Sequence, residues 1–197
     1  MTEKSAIIFI ANGSEDIETV TTIDILRRAK VKVQVVGVEL GRDYAVLAHG
    51  LKVIPDQQLE STSDLTNHDA VIIPGGSGGV QVLSKNACVL EVLHKYYAQG
   101  KLVAAICAGP LVVKAAAVAK HPTPPEVKTR LTSYPSVMDQ LVDRYAYEDA
   151  RVVIDGNLIT SRGPGTSVEF ALTVAKYITG SDTAHNVANA ILSHTQP

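Results

Sequence analysis

The sequence predicts an α/β protein in which a mostly parallel β-sheet is flanked by helices on both faces. Short apolar runs over residues 6–11, 70–74 and 102–106 indicate buried strands, and segments with apolar residues at helical spacing lie between them. Strands that are apolar on both sides are typical of parallel sheets covered by helices. Since no repeat, linker or low-complexity segment divides the chain, we expect one domain over residues 1–197.

The first part of the chain predicts a β-α-β unit. Residues 6–11 form its first strand, residues 15–29 its helix, and the alternating residues 31–37 its second strand. The helix carries four apolar residues at helical spacing, which we expect to face the core: Ile17, Val20, Ile23 and Leu26.

The middle of the chain continues this alternation. Short alternating pieces over residues 45–54 indicate a hairpin, and residues 86–99 have the pattern of an amphipathic helix. After the strand at 102–106, Gly109-Pro110 begins another helix, because proline is favoured in the first helical turn.

Turn and cap signals mark the last part of the chain. Three prolines within residues 121–125 predict a loop, and residues 152–160 predict a hairpin. Thr166 and Glu169 have the spacing of a capping box at the start of a helix, and a last helix is expected over residues 183–193.

Composition and charge exclude several classes of protein. The net charge of −2 is spread without a basic stripe, so we expect no direct reading of nucleic acid. The two cysteines and six histidines show neither a disulfide framework nor a zinc spacing, so we expect no metal. No run approaches the ~18 apolar residues of a membrane span. We therefore expect a soluble cytoplasmic protein with no membrane contact, and the nucleus and mitochondria are further candidate compartments.

Cys107 is the first candidate functional residue, because it lies between a predicted strand and a predicted helix. In a parallel sheet this corner belongs to the edge where ligands bind, and the amides of the following helix favour a thiolate over a thiol. A nucleophile fits this position. A free cysteine is also commonly a small buried hydrophobic residue, and the spacing alone leaves both readings open.

The glycine run over residues 74–79 follows another predicted strand. Its glycines can bring bare backbone N–H groups to a ligand or a developing oxyanion. The run does not match the dinucleotide fingerprint, since Gln81 stands where the third glycine would be. A tight turn that needs positive φ is the alternative reading.

Glu18 lies in the first turns of the first predicted helix, at the same edge of the sheet as Cys107. A carboxylate buried beside the thiol would have a raised pKa and could transfer protons near neutral pH. The alternative is a solvated glutamate favoured by the helix N-terminus, as we expect for Glu15 and Asp16.

Four separated motifs carry a resemblance to a known family. In chain order they are Gly13-Ser-Glu-Asp-Ile-Glu18, Ile73-Pro-Gly-Gly76, Ala104-Ala-Ile-Cys107-Ala-Gly-Pro110 and Ile159-Thr-Ser-Arg-Gly-Pro-Gly-Thr166. Over nearly its full length the chain resembles the ThiJ/PfpI superfamily. It is most similar to the branch of the parkinsonism-associated protein deglycase, which is also described as a glutathione-independent glyoxalase.

The resemblance implies a fold and a set of site residues. It implies a flavodoxin-like sandwich with Cys107 as nucleophile on a strained elbow and Glu18 hydrogen-bonded to its sulfur. Gly75, Gly76 and Ala108 would line the oxyanion site.

The resemblance also implies a homodimer. Arg28, His49 and Pro164 would lie near the pocket across the dimer interface, with His49 in place of the arginine usual in the family. Tyr134, within Ser133-Tyr134-Pro135, stands where many relatives have a histidine, and its phenol can donate a hydrogen bond to substrate or water. Glu18 is then the main proton carrier.

Two related activities are disfavoured. The proteolytic branch has a histidine directly after the cysteine, whereas this chain has Ala108. Class I glutamine amidotransferases need a downstream His-x-Glu, which no histidine of this chain provides.

The implied activity is a cofactor-independent glyoxalase of the hydro-lyase class. It would convert methylglyoxal or glyoxal to lactate or glycolate through a hemithioacetal on Cys107. The same chemistry on adducts of protein or nucleotide groups would be deglycation, a hydrolase activity. The alternative is a redox-sensing or chaperone protein that responds to oxidative stress through oxidation of Cys107.

Overall fold

The computed structural model describes residues 3–60, 65–119 and 128–195. Eleven strands lie within them: β1 (Ser5–Ile10), β2 (Lys32–Gly37), β3 (Ala45–Val46), β4 (Lys52–Val53), β5 (Gln57–Gln58), β6 (Ala70–Ile73), β7 (Leu102–Ile106), β8 (Arg130–Leu131), β9 (Ala146–Tyr147), β10 (Val152–Asp155) and β11 (Leu158–Ser161). The α-helices of these residues are α1 (Asp16–Arg28), α2 (Ser77–Leu83), α3 (Ala87–Ala98), α4 (Pro110–Ala115), α5 (Ser167–Thr179) and α6 (Ser181–Ala190). Two 3₁₀ helices span Pro135–Gln140 and Pro164–Thr166.

The central sheet has seven strands in the order β10-β11-β7-β6-β1-β2-β5. All neighbouring strands are parallel except β10 and β11, which form an antiparallel hairpin. The direction in which strands are added to the sheet reverses at β1, because β2 lies on one side of β1 and β6 on the other. The predicted flavodoxin-like sandwich with a mostly parallel sheet is confirmed.

Two apolar layers hold the helices on the sheet. Successive residues of a strand point to opposite faces, so Ile8 packs with α1, α5 and α6, whereas Phe9 packs with α2, α3 and α4. Both side chains are fully buried. The two-sided burial explains why β1, β6 and β7 are continuous apolar runs.

The exposed face of α1 differs from the sequence-based expectation. Ile17 and Val20 were expected in the core, but they are 54% and 43% exposed. The helix instead buries the side that carries Glu18 and Ile25, which share a face one heptad apart. Helical periodicity alone cannot predict which face of α1 is buried, because the burial of Glu18 depends on a hydrogen bond from Gly75, which follows β6.

The second half of the glycine run lies inside the helix α2. Gly78 and Gly79 belong to α2, although glycine is unfavourable inside a helix. Packing explains both residues, since a Cβ at Gly78 would lie 3.2 Å from the Cα of Gly13 and one at Gly79 would lie 2.5 Å from Ser14 Oγ. The two glycines let α2 approach the turn after β1.

Three further predictions concern the last part of the chain. The capping box is wrong: the Thr166 hydroxyl donates to the carbonyl oxygen of Gly163 at 2.9 Å, and Glu169 pairs with Arg151 at 2.6 Å. The last helix begins directly after Gly180, two residues earlier than expected, so it forms a corner with α5. The predicted loop at 121–125 lies outside the described residues.

Candidate active site

Cys107 occupies a strained corner between β7 and α4. Its φ of +63° lies in the left-handed region, which costs a residue with a Cβ roughly 1–2 kcal/mol. Two backbone hydrogen bonds hold this conformation: the Cys107 amide donates to the Ser161 carbonyl at 3.0 Å, and the Tyr134 amide donates to the Cys107 carbonyl at 2.8 Å. The strained elbow is therefore fixed by β11 on one side and by the residue before a 3₁₀ helix on the other.

Gly75 brings the Cys107 and Glu18 side chains together. A Cβ at this position would lie 2.5 Å from the Cβ of Cys107, 2.9 Å from its sulfur and 2.7 Å from Glu18 Oε2. The Gly75 amide also donates to Glu18 Oε2 at 2.7 Å. Only glycine leaves the space in which the thiol and the carboxyl group meet.

Glu18 is fully buried in the first turn of α1. Burial raises the pKa of its carboxyl group from 4.5 to about 7, against the opposing effects of the Gly75 amide and the Cys107 thiol. Its other oxygen, Oε1, has no hydrogen-bond partner among the described residues. This environment supports the expected buried carboxyl group with a pKa near neutral pH. It does not support the alternative of a solvated glutamate.

Glu15 was expected to be solvated, and this is wrong. It is 6% exposed and caps α1, accepting a hydrogen bond from the Glu18 amide at 2.7 Å on Oε2. Its charge contributes to the raised pKa of Glu18. Sequence analysis missed this role because glutamate is not among the preferred N-cap residues.

The Cys107 thiol has a raised pKa, which is opposite to the expected direction. Burial raises it to about 12, and the charge of Glu18 adds to this; the amides of Ala108 and Gly76, which donate to the sulfur, lower it by less. The two acids therefore titrate as a pair, with one proton lost near pH 7 and the second held strongly. Above pH 7 the pair carries one negative charge beside two backbone amides.

Gly76 supplies one of those amides from a conformation that only glycine adopts easily. Its φ is +88°, and a Cβ there would lie 2.2 Å from the carbonyl oxygen of Gly13. The turn is also fixed by the Glu15 amide, which donates to the Gly75 carbonyl at 3.0 Å. The same glycines therefore form a tight turn and can direct a backbone amide towards the position of a developing oxyanion.

Tyr134 is joined to the site through its backbone. Its ring lies against Gly163, where a Cβ would be 3.1 Å from Tyr134 Cδ2. The ring is 45% exposed and lines a shallow cavity of about 270 Å³ together with Pro164. The phenol hydroxyl forms no hydrogen bond with the described residues, so it is free to meet a ligand in this cavity.

Arg28 and His49 lie at opposite ends of α1. Arg28 ends α1, ten residues and about 15 Å beyond Glu18 along the helix, and pairs with Asp24 at 2.7 Å. His49 lies beside the start of the same helix, where its amide donates to Asp16 Oδ2 at 2.8 Å. The sequence places both residues across a dimer interface, which involves a second copy of the chain, so this placement stays a prediction.

Two classes of site have no candidate in the described part of the chain. No three residues of the His, Cys, Asp and Glu types gather there closely enough to hold a metal ion. Among the described helices, none combines the length and the apolar character needed to cross a membrane.

Comparison with known proteins identifies close relatives. A model of the DJ-1/PfpI family matches residues 4–177. The Parkinson disease protein 7 homolog of Danio rerio is 39% identical over 189 residues, which cover 95% of this chain and 96% of that protein. The glutathione-independent glyoxalase DJR-1.2 of Caenorhabditis elegans is 33% identical over 187 residues, 94% of each chain. The crystal structure of Drosophila melanogaster DJ-1beta, 38% identical, matches with a TM-score of 0.90 and covers 98% of this chain and 100% of that one.

The raised pKa of Glu18 predicts a pH-dependent stability. Between pH 4.5 and about 7 the folded state keeps a proton that the unfolded state loses, so the free energy of unfolding falls as the pH rises, by about 3 kcal/mol from this group. Glu18→Gln should remove that loss and make the protein more stable than wild type at pH 7. Urea unfolding at several pH values measures it. Glu91→Gln, on the exposed side of α3, is the matched control and should keep the wild-type slope; an unchanged slope in Glu18→Gln would contradict the assignment.

Proposed function

The chain belongs to the DJ-1/PfpI family, and on this basis we propose that it is a cofactor-independent glyoxalase. Its substrates are small 2-oxoaldehydes such as methylglyoxal and glyoxal, and its products are lactate and glycolate. One observation carries the proposal: a buried carboxyl group that titrates near pH 7 shares the space beside Gly75 with a thiol on a strained elbow. The glyoxalase name of the C. elegans relative supports the same chemistry.

The first step forms a covalent adduct. The Cys107 sulfur attacks the aldehyde carbon, and the carbonyl oxygen becomes the hydroxyl of a hemithioacetal by taking a proton from the Glu18–Cys107 pair. The amides of Gly76 and Ala108, which already donate to the sulfur, are positioned to stabilise negative charge on that oxygen as it develops. The addition leaves Glu18 as a carboxylate.

The second step moves a proton between neighbouring carbons. The Glu18 carboxylate removes the proton from the former aldehyde carbon, giving an enediol, and returns it to the adjacent carbon. The aldehyde carbon is oxidised and the ketone carbon is reduced, so no external oxidant or reductant is consumed. The product is a 2-hydroxyacyl thioester of Cys107, and water releases the hydroxy acid and restores the thiol.

The same residues would act on adducts that 2-oxoaldehydes form with other molecules. Hemithioacetals and aminocarbinols on protein or nucleotide groups contain the same carbons, and attack by Cys107 would release the thiol or amine. Deglycation is therefore proposed as the same chemistry on a larger substrate.

A redox-sensing or chaperone role is the second candidate. The amides of Gly76 and Ala108 would also stabilise a negatively charged oxygen added to the Cys107 sulfur by a peroxide. A sensor needs one oxidation event, whereas an enzyme turns over repeatedly. Steady-state lactate formation from methylglyoxal without glutathione separates the two roles.

We also propose a homodimer in the cytoplasm. The exposed Val20 on α1 lines one cavity with Val168 and Leu192, and the exposed Ile17 lies one turn before Val20. A second copy could cover this apolar surface. Association of this kind could bring Arg28 and His49 of a second copy towards Pro164.

Cys107→Ala should abolish methylglyoxal turnover while the protein remains folded, because it deletes the nucleophile but little packing. Cys88→Ala, which changes a half-buried thiol on α3, is the matched control and should keep nearly full activity. Lactate formation and circular dichroism measure the two properties. Substantial turnover by folded Cys107→Ala would exclude the covalent mechanism.

Glu18→Gln should lower turnover by ~10²–10⁴-fold, because the amide keeps the shape of the side chain but cannot carry the proton. Adducts on Cys107 should still form and accumulate. Mass spectrometry of the protein after mixing with methylglyoxal detects them, and lactate formation reports release. Wild-type rates in this variant would show that another group carries the proton.

Tyr134→Phe should lower kcat/KM modestly, by tenfold or less, which is up to about 1.4 kcal/mol. Tyr134 is exposed, and its phenol donates at most one hydrogen bond to substrate or water. Kinetics at neutral pH measure the loss. A collapse as large as that of Cys107→Ala would mean that Tyr134 takes part in the chemistry itself.

The dimer should have twice the 20.9 kDa mass of one chain. Light scattering after size-exclusion chromatography measures it. Val20→Glu should shift the protein towards the monomer, because it introduces a charge into the proposed contact without changing the core. A wild-type monomer at micromolar concentration would contradict the dimer.

A further inference from the structure

A groove of about 790 Å³ lies beside the candidate active site and is not used by the proposed reaction. We call it the α2–α4 groove. It is lined by Ser77, Val80, Gln81, Ser84, Ala108, Leu111, Lys114, Ala115, Gln140 and Arg144. A three-carbon aldehyde would fill only a small part of it, since cavities of ~300–1,000 Å³ hold ligands of drug size.

The near end of the groove is formed by the residues that follow Cys107 and Gly76 in the chain. Ala108 follows Cys107 in the chain and Ser77 follows Gly76, and the amides of Ala108 and Gly76 donate to the Cys107 sulfur. A molecule that lies in the groove can therefore present one end to Cys107.

The middle of the groove is apolar. Val80 from α2 faces Leu111 and Ala115 from α4 across it. Ser77, Val80, Gln81 and Ser84 lie on one side of α2, since Val80 and Gln81 are three and four residues after Ser77 and Ser84 follows one turn later. This section suits an aliphatic chain with polar groups along one side.

The far end of the groove carries two cations, and only one of them is compensated. Lys114 Nζ lies 2.8 Å from Asp143 Oδ1 and donates to the Gln140 carbonyl at 2.6 Å. The exposed Arg144 guanidinium has no ion pair or hydrogen bond with residues 3–60, 65–119 or 128–195. An uncompensated guanidinium at the end of an apolar groove attracts an oxyanion, which it can bind with two parallel hydrogen bonds.

We propose that the α2–α4 groove is a subsite for substrates with an aliphatic chain that ends in a carboxylate. The reacting carbonyl lies at Cys107 and the carboxylate faces Arg144. Ala108 lies just before α4 and Lys114 lies near its end, six residues further on. At 1.5 Å per residue the substrate chain would span about 9 Å. The proposal rests on the proposed function, because it names the larger aldehydes that the same cysteine would accept.

The test uses alkylation of Cys107, which does not depend on turnover. In a Cys88→Ala background, Cys107 is the only thiol of the chain. The probes are 6-maleimidohexanoate, whose carboxylate lies about 9 Å from the reacting carbon when extended, and its uncharged amide. In both cases the sulfur adds to the maleimide double bond, so the two rates differ only through the tail.

The carboxylate probe should react about two- to fivefold faster than the amide, which is the range for an exposed charge pair. Arg144→Ala should bring the ratio to about one, and Arg144→Glu should invert it. The preference should weaken in 1 M salt, because the Debye length falls to about 3 Å. Lys32→Ala is the matched control: it removes an exposed charge at the opposite edge of the sheet and should keep the parent ratio.

Three results would overturn the subsite: a ratio near one in the parent, a ratio that Arg144→Ala leaves unchanged, or failure of both probes to react with Cys107. Methylglyoxal turnover measured in the same variants keeps the two proposals distinct. Arg144→Ala should turn over methylglyoxal at the parent rate, since this substrate does not reach the far end. Absence of turnover in the parent would contradict the proposed function while the alkylation ratio still decides the subsite.

Discussion

The burial of one carboxyl group against one thiol is the constraint on which the site depends. Glu18 is fully buried, and the space that its carboxyl group shares with Cys107 exists only because residue 75 has no side chain. Burial destabilises the charged carboxylate and raises its pKa to about 7. A group with this pKa can both give and take a proton near neutral pH, so the contact that weakens the fold at higher pH is also the one that suits it to proton transfer.

The parallel sheet is what brings the three residues together. Strands β1, β6 and β7 are neighbours and run in the same direction, so their carboxyl ends meet at one edge. Each strand end supplies one part: α1 after β1 carries Glu18, the turn after β6 carries Gly75, and the corner after β7 carries Cys107. The fourth neighbour, β11, accepts the Cys107 amide through the carbonyl of Ser161 and thereby fixes the strained elbow.

The surfaces that remain open extend the site beyond these three residues. On one side of the sheet the outer face of α1 leaves Ile17 and Val20 exposed, which suits contact with a second chain. On the other side α2 and α4 leave a groove that begins at Ala108 and ends at Arg144. The helices that position the reacting groups therefore also form two open surfaces. A second chain could bind at one of them, and a larger substrate could bind at the other.

Local patterns in the sequence determined the strands β1, β6 and β7, the helix α3, the β10–β11 hairpin and the corner at Cys107, because two-sided burial and turn chemistry leave their mark on neighbouring residues. Tertiary structure decided the rest. Glu18 rather than Ile17 faces inward because Gly75, 57 residues away, donates to its carboxyl group. The pKa of Cys107 rises because burial and the charge of Glu18 outweigh the nearby amides. Burial and charge are sums over neighbours that are distant in sequence, and only the folded chain brings those neighbours together.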